Sequence, residues 1–363
     1  MTETKSTTRT APVRSGALVR PGLTSRPLPT VSLDPRTAYD FLMSSCGECG
    51  SLEDLLPEDR VWAEEARASL AAQVANDKVC GDCHGFVVEL SRLLPGHPEI
   101  ETARQFVALI DGLSDRELLD TMIGELLEMP EFAATARRAI DGDPAGFAEL
   151  QSLLADYKGH AVLTAPFEEM VPWARSLLHA WLPLYEKIEG RVGRMLVRDV
   201  AARQSDEATS DPIGFVERTT NGIRLILEPT VRRIVLAPSY FGRPFNSLTR
   251  LGEIQLISYP IADSSLGERA GATPPAATLR LFRALGDETR LRILRLVSEQ
   301  PRYLTELANE LELSKPTVSH HMAQLRSAGL VTTTEQGNLT YYTLRQDRIV
   351  EAGPELGLYL KGK

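Results

Sequence analysis

Cysteine is scarce in this sequence, with four residues in 363, and histidine nearly so, with six. No apolar run approaches the roughly 20 residues that a bilayer crossing needs, and the first residues lack the apolar segment of a secretory signal. A cytoplasmic location with no membrane insertion is expected. Catalytic signatures are missing as well: there is no nucleophile elbow, phosphate-binding P-loop, dinucleotide-binding glycine fingerprint or HExxH pair. Glu168 with Glu169, and Asp141 with Asp143, are paired carboxylates that read as solvated helix and turn surface. The expectation is a non-enzyme. Positive charge is also in deficit. Against 49 Asp and Glu stand 40 Lys and Arg, a formal net charge of -9, which counts against a chain-wide nucleic-acid surface.

What is present is length and helical periodicity. A chain of 363 residues can bury a substantial core and should form two or three domains. The expected fold is mainly α with small β elements. Residues 1–30 carry five Lys and Arg against one Glu and no periodic apolar face. They read as a disordered basic arm, either touching DNA phosphates or simply unstructured. Residues 31–210 read as a large helical domain. Asp34 and Pro35 mark a helix start and Pro57 opens another, with further helices predicted at 85–93, 97–111, 115–128, 131–140 and 144–157. Ser114 and Glu117 have capping-box spacing. The longest helical stretch starts at Pro166 and runs to about residue 204, with breaks or kinks expected at Pro172 and Pro183. Its Phe167, Met170, Trp173, Leu177, Trp181, Leu184, Tyr185 and Ile188 form an aromatic-rich face. That face fits either a ligand wall or packing against the helical core.

Composition changes after Asp211. Residues 211–262 read as a small β-rich subdomain, with strands predicted at 215–219, 223–227, 231–236 and 253–259 and a hairpin turn at Asn221 and Gly222. The connection APSYFGRPFN, residues 237–246, is long and bears aromatics and glycine. Tyr240 and Arg243 are candidates to hold an anionic or aromatic effector there, with ordinary edge-loop packing as the alternative. Residues 263–276 read as a linker.

Residues 277–345 carry the clearest pattern. Leu281, Leu285, Leu291, Ile293, Leu294 and Leu296 supply apolar helical faces around a Gly-Asp break, and Leu304, Leu307, Ala308 and Leu311 a shorter one. Ser314 is placed to cap the next helix, with Pro316 in its first turn. That helix turns Val318, Met322 and Leu325 inward and offers Lys315, Thr317, Ser319, His320 and Gln324 outward. Gly329 stops it. Residues 330–335 and 339–344 read as two strands of a wing, with Gly337 and Asn338 at its tip. Residues 346–363 are a short tail. A short helix, a tight turn and a second helix with a polar outer face fit a helix-turn-helix, whose second helix enters the major groove; a winged helix that serves as a protein-interaction or assembly module without binding DNA is the alternative. Residues 277–363 hold twelve Lys and Arg against ten Asp and Glu, whereas residues 1–276 hold 28 against 39. The acidic load thus lies upstream of this segment.

The words ALGDETRLRIL, LTELANEL, LSKPTVSHHMAQLRSAGLV and the wing ending in YYTL resemble the winged helix-turn-helix of the ArsR/SmtB family of bacterial repressors. The likeness covers about a fifth of the chain. It implies a homodimer on double-stranded operator DNA and transcriptional repression relieved by a ligand. It also implies that Lys315, Thr317, Ser319, His320, Gln324 and Asn338 face the DNA. The helical domain and small sheet placed ahead resemble those of longer regulators of this kind. Metal-sensing relatives carry cysteines on the helix before the recognition helix, and others an Asp/His cluster in the tail. LTELANEL has no cysteine and residues 346–363 hold no histidine, so those familiar sensory sites are missing from this sequence.

The four cysteines form two CxxC pairs, Cys46 with Cys49 and Cys80 with Cys83, followed by His84. Four thiolates converging on one point would make a closed tetrahedral zinc site. The glycine in each pair helps its short loop turn. A structural zinc is therefore the expected cofactor. Reduced, non-ligating thiols, a redox switch and an iron-sulfur site are the alternatives, and His84 could replace one cysteine. Permanent disulfides are disfavoured in a reducing compartment. Cys80 to His84 also fits the CxxCH haem pattern, which the missing export segment argues against.

Overall fold

The computed structural model describes residues 28–46, 49–73, 84–155, 166–204, 207–226, 229–267, 274–336 and 339–361. The expected arm at 1–30 falls almost wholly outside them. Its last residue begins strand β1 (Thr30–Leu33). Next come α1 (Thr37–Ser45), α2 (Pro57–Gln73) and a run of short helices: α3 (His84–Glu89), α4 (Ala103–Gly112), α5 (Asp115–Met122), α6 (Gly124–Glu128), α7 (Pro130–Ile140) and α8 (Pro144–Ala155). Local chemistry sets several of their ends. Ser114 accepts the Glu117 amide at 3.3 Å while the Glu117 carboxylate accepts the Ser114 amide at 2.8 Å, a reciprocal cap that starts α5.

Helix α9 (Phe167–Arg203) is the axis of this unit. Pro172 and Pro183 lie inside it without dividing it. Each removes one backbone donor, but Trp173, Leu177, Trp181, Tyr185 and Ile188 are buried between α1, α2 and α4, and that packing outweighs the lost bonds. The aromatic face is therefore core. The Trp181 indole N–H donates to Ser44 Oγ at 2.7 Å, which satisfies its one polar atom.

Helices α10 (Glu207–Ser210) and α11 (Pro212–Thr219) follow, then strands β2 (Arg233–Ser239), β3 (Ser247–Leu251) and β4 (Ile254–Pro260). The sheet order is β1-β2-β4-β3, with β1, β2 and β4 parallel and β3 antiparallel. Side chains alternate across it. Val235, Ala237 and Leu256 join the helical core, while Ile234, Leu236, Ile257 and Tyr259 pack against Ile213, Phe215 and Val216 of α11. Residues 215–219, predicted as a strand, are helical. The Asp211 carboxylate caps the Gly214 amide at 3.0 Å and Pro212 occupies the first turn. The predicted strand at 223–227 is reduced, among its described residues, to one parallel bridge between Ile223 and Thr333.

The C-terminal head comprises α12 (Ala276–Leu285), α13 (Glu288–Glu299), β5 (Arg302–Tyr303), α14 (Leu304–Glu310), α15 (Lys315–Ser327), β6 (Val331–Gln336), β7 (Leu339–Leu344) and α16 (Gln346–Leu360). Its sheet runs β5-β7-β6. It has its own core, including Leu281, Ile293, Leu307, Val318, Met322 and Leu325. The segment expected as a tail is helix α16, which packs on α12. Among the described residues, no helix is long and apolar enough to cross a membrane.

Candidate nucleic-acid interface

The helix-turn-helix is built by short-range chemistry. Asp287 caps α13 by accepting the Arg290 amide at 2.9 Å, and that bond holds its carboxyl below the usual range. Helix α14 ends in a turn where Glu312 takes φ 56° and the Leu313 amide returns to Ala308 O at 3.0 Å. Ser314 Oγ then accepts the Thr317 amide at 3.3 Å, starting α15. Val318, Met322 and Leu325 are buried, while Lys315, Thr317, Ser319, His320 and Gln324 are exposed on the other side. His321 points differently from its neighbour: half-buried, its Nδ1 stands 3.8 Å from Asp287. Gly329, at φ 68°, closes the helix, with the Leu330 amide on Leu325 O at 3.0 Å. The wing strands β6 and β7 pair in register from Val331 with Leu344 to Gln336 with Leu339. Asn338 lies outside the described residues.

The head is held by the upstream unit through α12. Arg280 pairs with Asp54, both largely buried. Burial pulls the Arg280 guanidinium down to about 10, so it stays cationic at neutral pH. Arg283 reaches Glu53 at 3.1 Å at the surface. Asp263 accepts the Ala277 amide at 3.0 Å and pairs through its other oxygen with Arg243. None of these residues carries a local sequence signal for such a role, because each contact joins segments distant in the chain.

The two effector candidates occupy the interior of this junction. Tyr240 is fully buried; its hydroxyl donates to Asp59 at 2.7 Å and accepts the Leu56 amide at 2.7 Å. Arg243 is also buried and donates to Asp54 O at 3.0 Å besides pairing with Asp263. Burial lowers it to about 10. Their polar atoms are committed to protein partners, so this structure uses them as internal cross-links. The loop they sit on is anchored by Asp40. One oxygen of its carboxylate accepts Ser239 Oγ at 2.5 Å, the Tyr240 amide at 2.8 Å and the Phe241 amide at 3.1 Å. Among the described residues its other oxygen has no hydrogen-bond partner, and burial lifts its pKa to about 6.

Cys46 and Cys49 form a disulfide. In that state neither sulfur offers a thiolate, so the pair does not fit the four-thiolate zinc site expected from the sequence. Cys80 and Cys83 lie outside the described residues. Among the described residues, no group of three His, Cys, Asp or Glu side chains is placed to hold a metal. The disulfide-closed loop leads into Gly50, where a Cβ would lie only 1.8 Å from Phe241 O. The next amide, of Ser51, donates to Arg243 O at 2.7 Å. Two and three residues on are Glu53 and Asp54, which grip α12.

Residues 287–333 match a family model described as bacterial regulatory protein, arsR family. The chain is similar to an uncharacterized HTH-type transcriptional regulator of Methanocaldococcus jannaschii, at 38% identity over 72 residues, 20% of this chain and 81% of that protein. It is also similar to the arsenic resistance transcriptional regulator ArsR1 of Pseudomonas putida, at 38% identity over 76 residues. That match covers 21% of this chain and 56% of ArsR1, little more than half its length. HlyU from Vibrio cholerae, a solved structure, is 35% identical with a TM-score of 0.20, over 24% of this chain and 95% of HlyU. These similarities concern the C-terminal region.

Proposed function

Because the chain belongs to the arsR family of bacterial regulatory proteins, we propose that it is a DNA-binding transcriptional regulator acting as a dimeric repressor. The observation that carries this reading is α15, whose outer face presents Lys315, Thr317, Ser319, His320 and Gln324 free of the protein core. Such side chains hydrogen-bond to base edges or phosphates in a major groove. Pairing of two heads is supported by a second surface. Leu279 and Phe282 of α12, and Ile349, Val350, Leu358 and Leu360 of α16, are exposed apolar side chains on two adjoining helices. A second copy of the same face would cover them. Two α15 helices would then enter successive major grooves roughly 34 Å apart on an inverted repeat. The upstream unit sets operator affinity through its grips on α12, and an effector bound there acts only by favouring one arrangement of those grips.

The test is selection of bound duplexes from a random library by the full-length chain, followed by footprinting. Enrichment of an inverted repeat is expected. Failure to enrich any duplex at low salt overturns the reading.

The disulfide favours a second reading, in which operator affinity responds to redox state. Reduction of Cys46–Cys49 takes up two electrons and two protons from a dithiol reductant and leaves two thiols in the loop that leads to Glu53 and Asp54. Those thiols would also be the ones available, with Cys80 and Cys83, to zinc. Operator affinity and metal content are therefore measured before and after dithiothreitol, with Cys46→Ser/Cys49→Ser as the control. Equal affinity in both states removes this reading.

A further inference from the structure

The polypeptide that leaves α11 crosses to the head and joins it. Asn221, at φ 56°, and Gly222, at φ 113°, close α11, with the Gly222 amide on Glu217 O at 2.9 Å. The chain then runs along the outer edge of β6. Gly222 O accepts the Thr333 amide at 3.0 Å, and the Arg224 amide donates to Thr333 O at 3.0 Å. These two groups of Thr333 point away from β7, so they would otherwise be the open edge of the wing. Arg224 is itself held by a two-pronged contact to Glu217, at 2.9 and 3.0 Å. Asn221 Oδ1 accepts Arg345 Nη1 at 2.7 Å, just past the end of β7. The same side chain closes over Gly329, where a Cβ would lie 2.4 Å from Asn221 Oδ1. One turn therefore touches the residues just past α15 and β7, and β6 itself. Asn246 Nδ2 donates to Thr220 O at 2.8 Å, tying that turn back to the loop ahead of β3.

We propose that residues 220–224 are a positioning element of the DNA-reading head: an added wing strand and an end-stop for α15 that set the angle at which both meet the duplex. This inference rests on the operator-binding reading above. The strap lies at the C-terminal end of α15 and along β6, while Lys315, Thr317, Ser319, His320 and Gln324 stay exposed, so the strapped arrangement is the binding-competent one. Asn221 and Arg224 act through Arg345 and Thr333 rather than on DNA.

The test uses the full-length chain and the duplex it selects. Asn221→Gly keeps the left-handed backbone but deletes the acceptor for Arg345. Thr333→Pro deletes the outward amide and leaves the bonds from β6 to β7. Asn221→Asp keeps the acceptor and serves as the rescue. Loss of one or two hydrogen bonds from the strap should lower affinity about tenfold in the first two variants. If wing contacts to phosphate are lost, the dependence of affinity on salt should also become shallower. Amide exchange at Arg224 should accelerate while the melting temperature of the helical unit stays put, and Asn221→Asp should bind like the parent. Parental affinity and salt dependence in both disrupting variants would overturn the strap and leave the operator reading standing. A parent chain that selects no duplex would overturn both.

Discussion

Asp40 makes a prediction whose size follows from its surroundings. Its carboxyl is fully buried and its pKa rises from 3.8 to about 6, chiefly because burial disfavours the anion. The folded state thus holds this proton more tightly than the unfolded chain. Stabilisation from Asp40 is complete below the unfolded pKa and is lost as pH rises through the folded one. The full span is on the order of 3 kcal/mol at about 1.4 kcal/mol per pH unit. Between about pH 4.5 and about pH 7.5 the loss should be about 2 kcal/mol. Asp40→Asn keeps the oxygen that accepts Ser239, Tyr240 and Phe241 and cannot ionise. Urea unfolding of parent and variant across that range isolates the Asp40 contribution, because other titrating groups cancel in the difference. The parent should lose stability relative to the variant as pH rises. A difference that stays flat across the range would refute a buried, raised carboxyl at this position.

Replacing Ser319 and His320 together by alanine should weaken binding to the selected operator by at least about tenfold, read by titration with labelled duplex, while thermal stability stays near normal. Val350→Asp, on the most exposed apolar position of α16, should shift sedimentation from dimer towards monomer and weaken operator binding with it. Arg280→Met should leave Asp54 unpaired and destabilise the chain by on the order of 3 kcal/mol, and adding Asp54→Leu should recover most of that in thermal unfolding.

The head was legible because its signals are local. Ser314, Pro316 and Gly329 mark the limits of α15 within one or two turns, and the spacing of Val318, Met322 and Leu325 assigns its faces without reference to the rest of the chain. Helix α11 was missed although its signal was there: Asp211 and Pro212 repeat the pattern that marked α1 at Asp34 and Pro35, but Phe215 and Val216 read as β-formers. Strand β1 has no such signal. It is four residues long, and only pairing with β2 defines it. Helix α16 contains Gly353, Pro354 and Gly357, which argue locally against a helix. Packing on α12 and the pairing of Arg348 with Glu355 hold it. Tyr240 and Arg243 are effector candidates by residue type alone, yet their burial follows from Asp40, Asp54, Asp59 and Asp263, which lie on other segments of the chain. CxxC spacing cannot tell a shared metal from a bond within one pair.

The parallel pairing of Thr30–Leu33 with β2 also carries a consequence for how the protein is made. These partners are separated by about 200 residues, so the nascent sheet stays open on the ribosome until β2 and β4 have both emerged. Only then is translation of the head completed. Closure of so long a loop is slow, which leaves helices α1 to α9 waiting with an uncovered apolar flank.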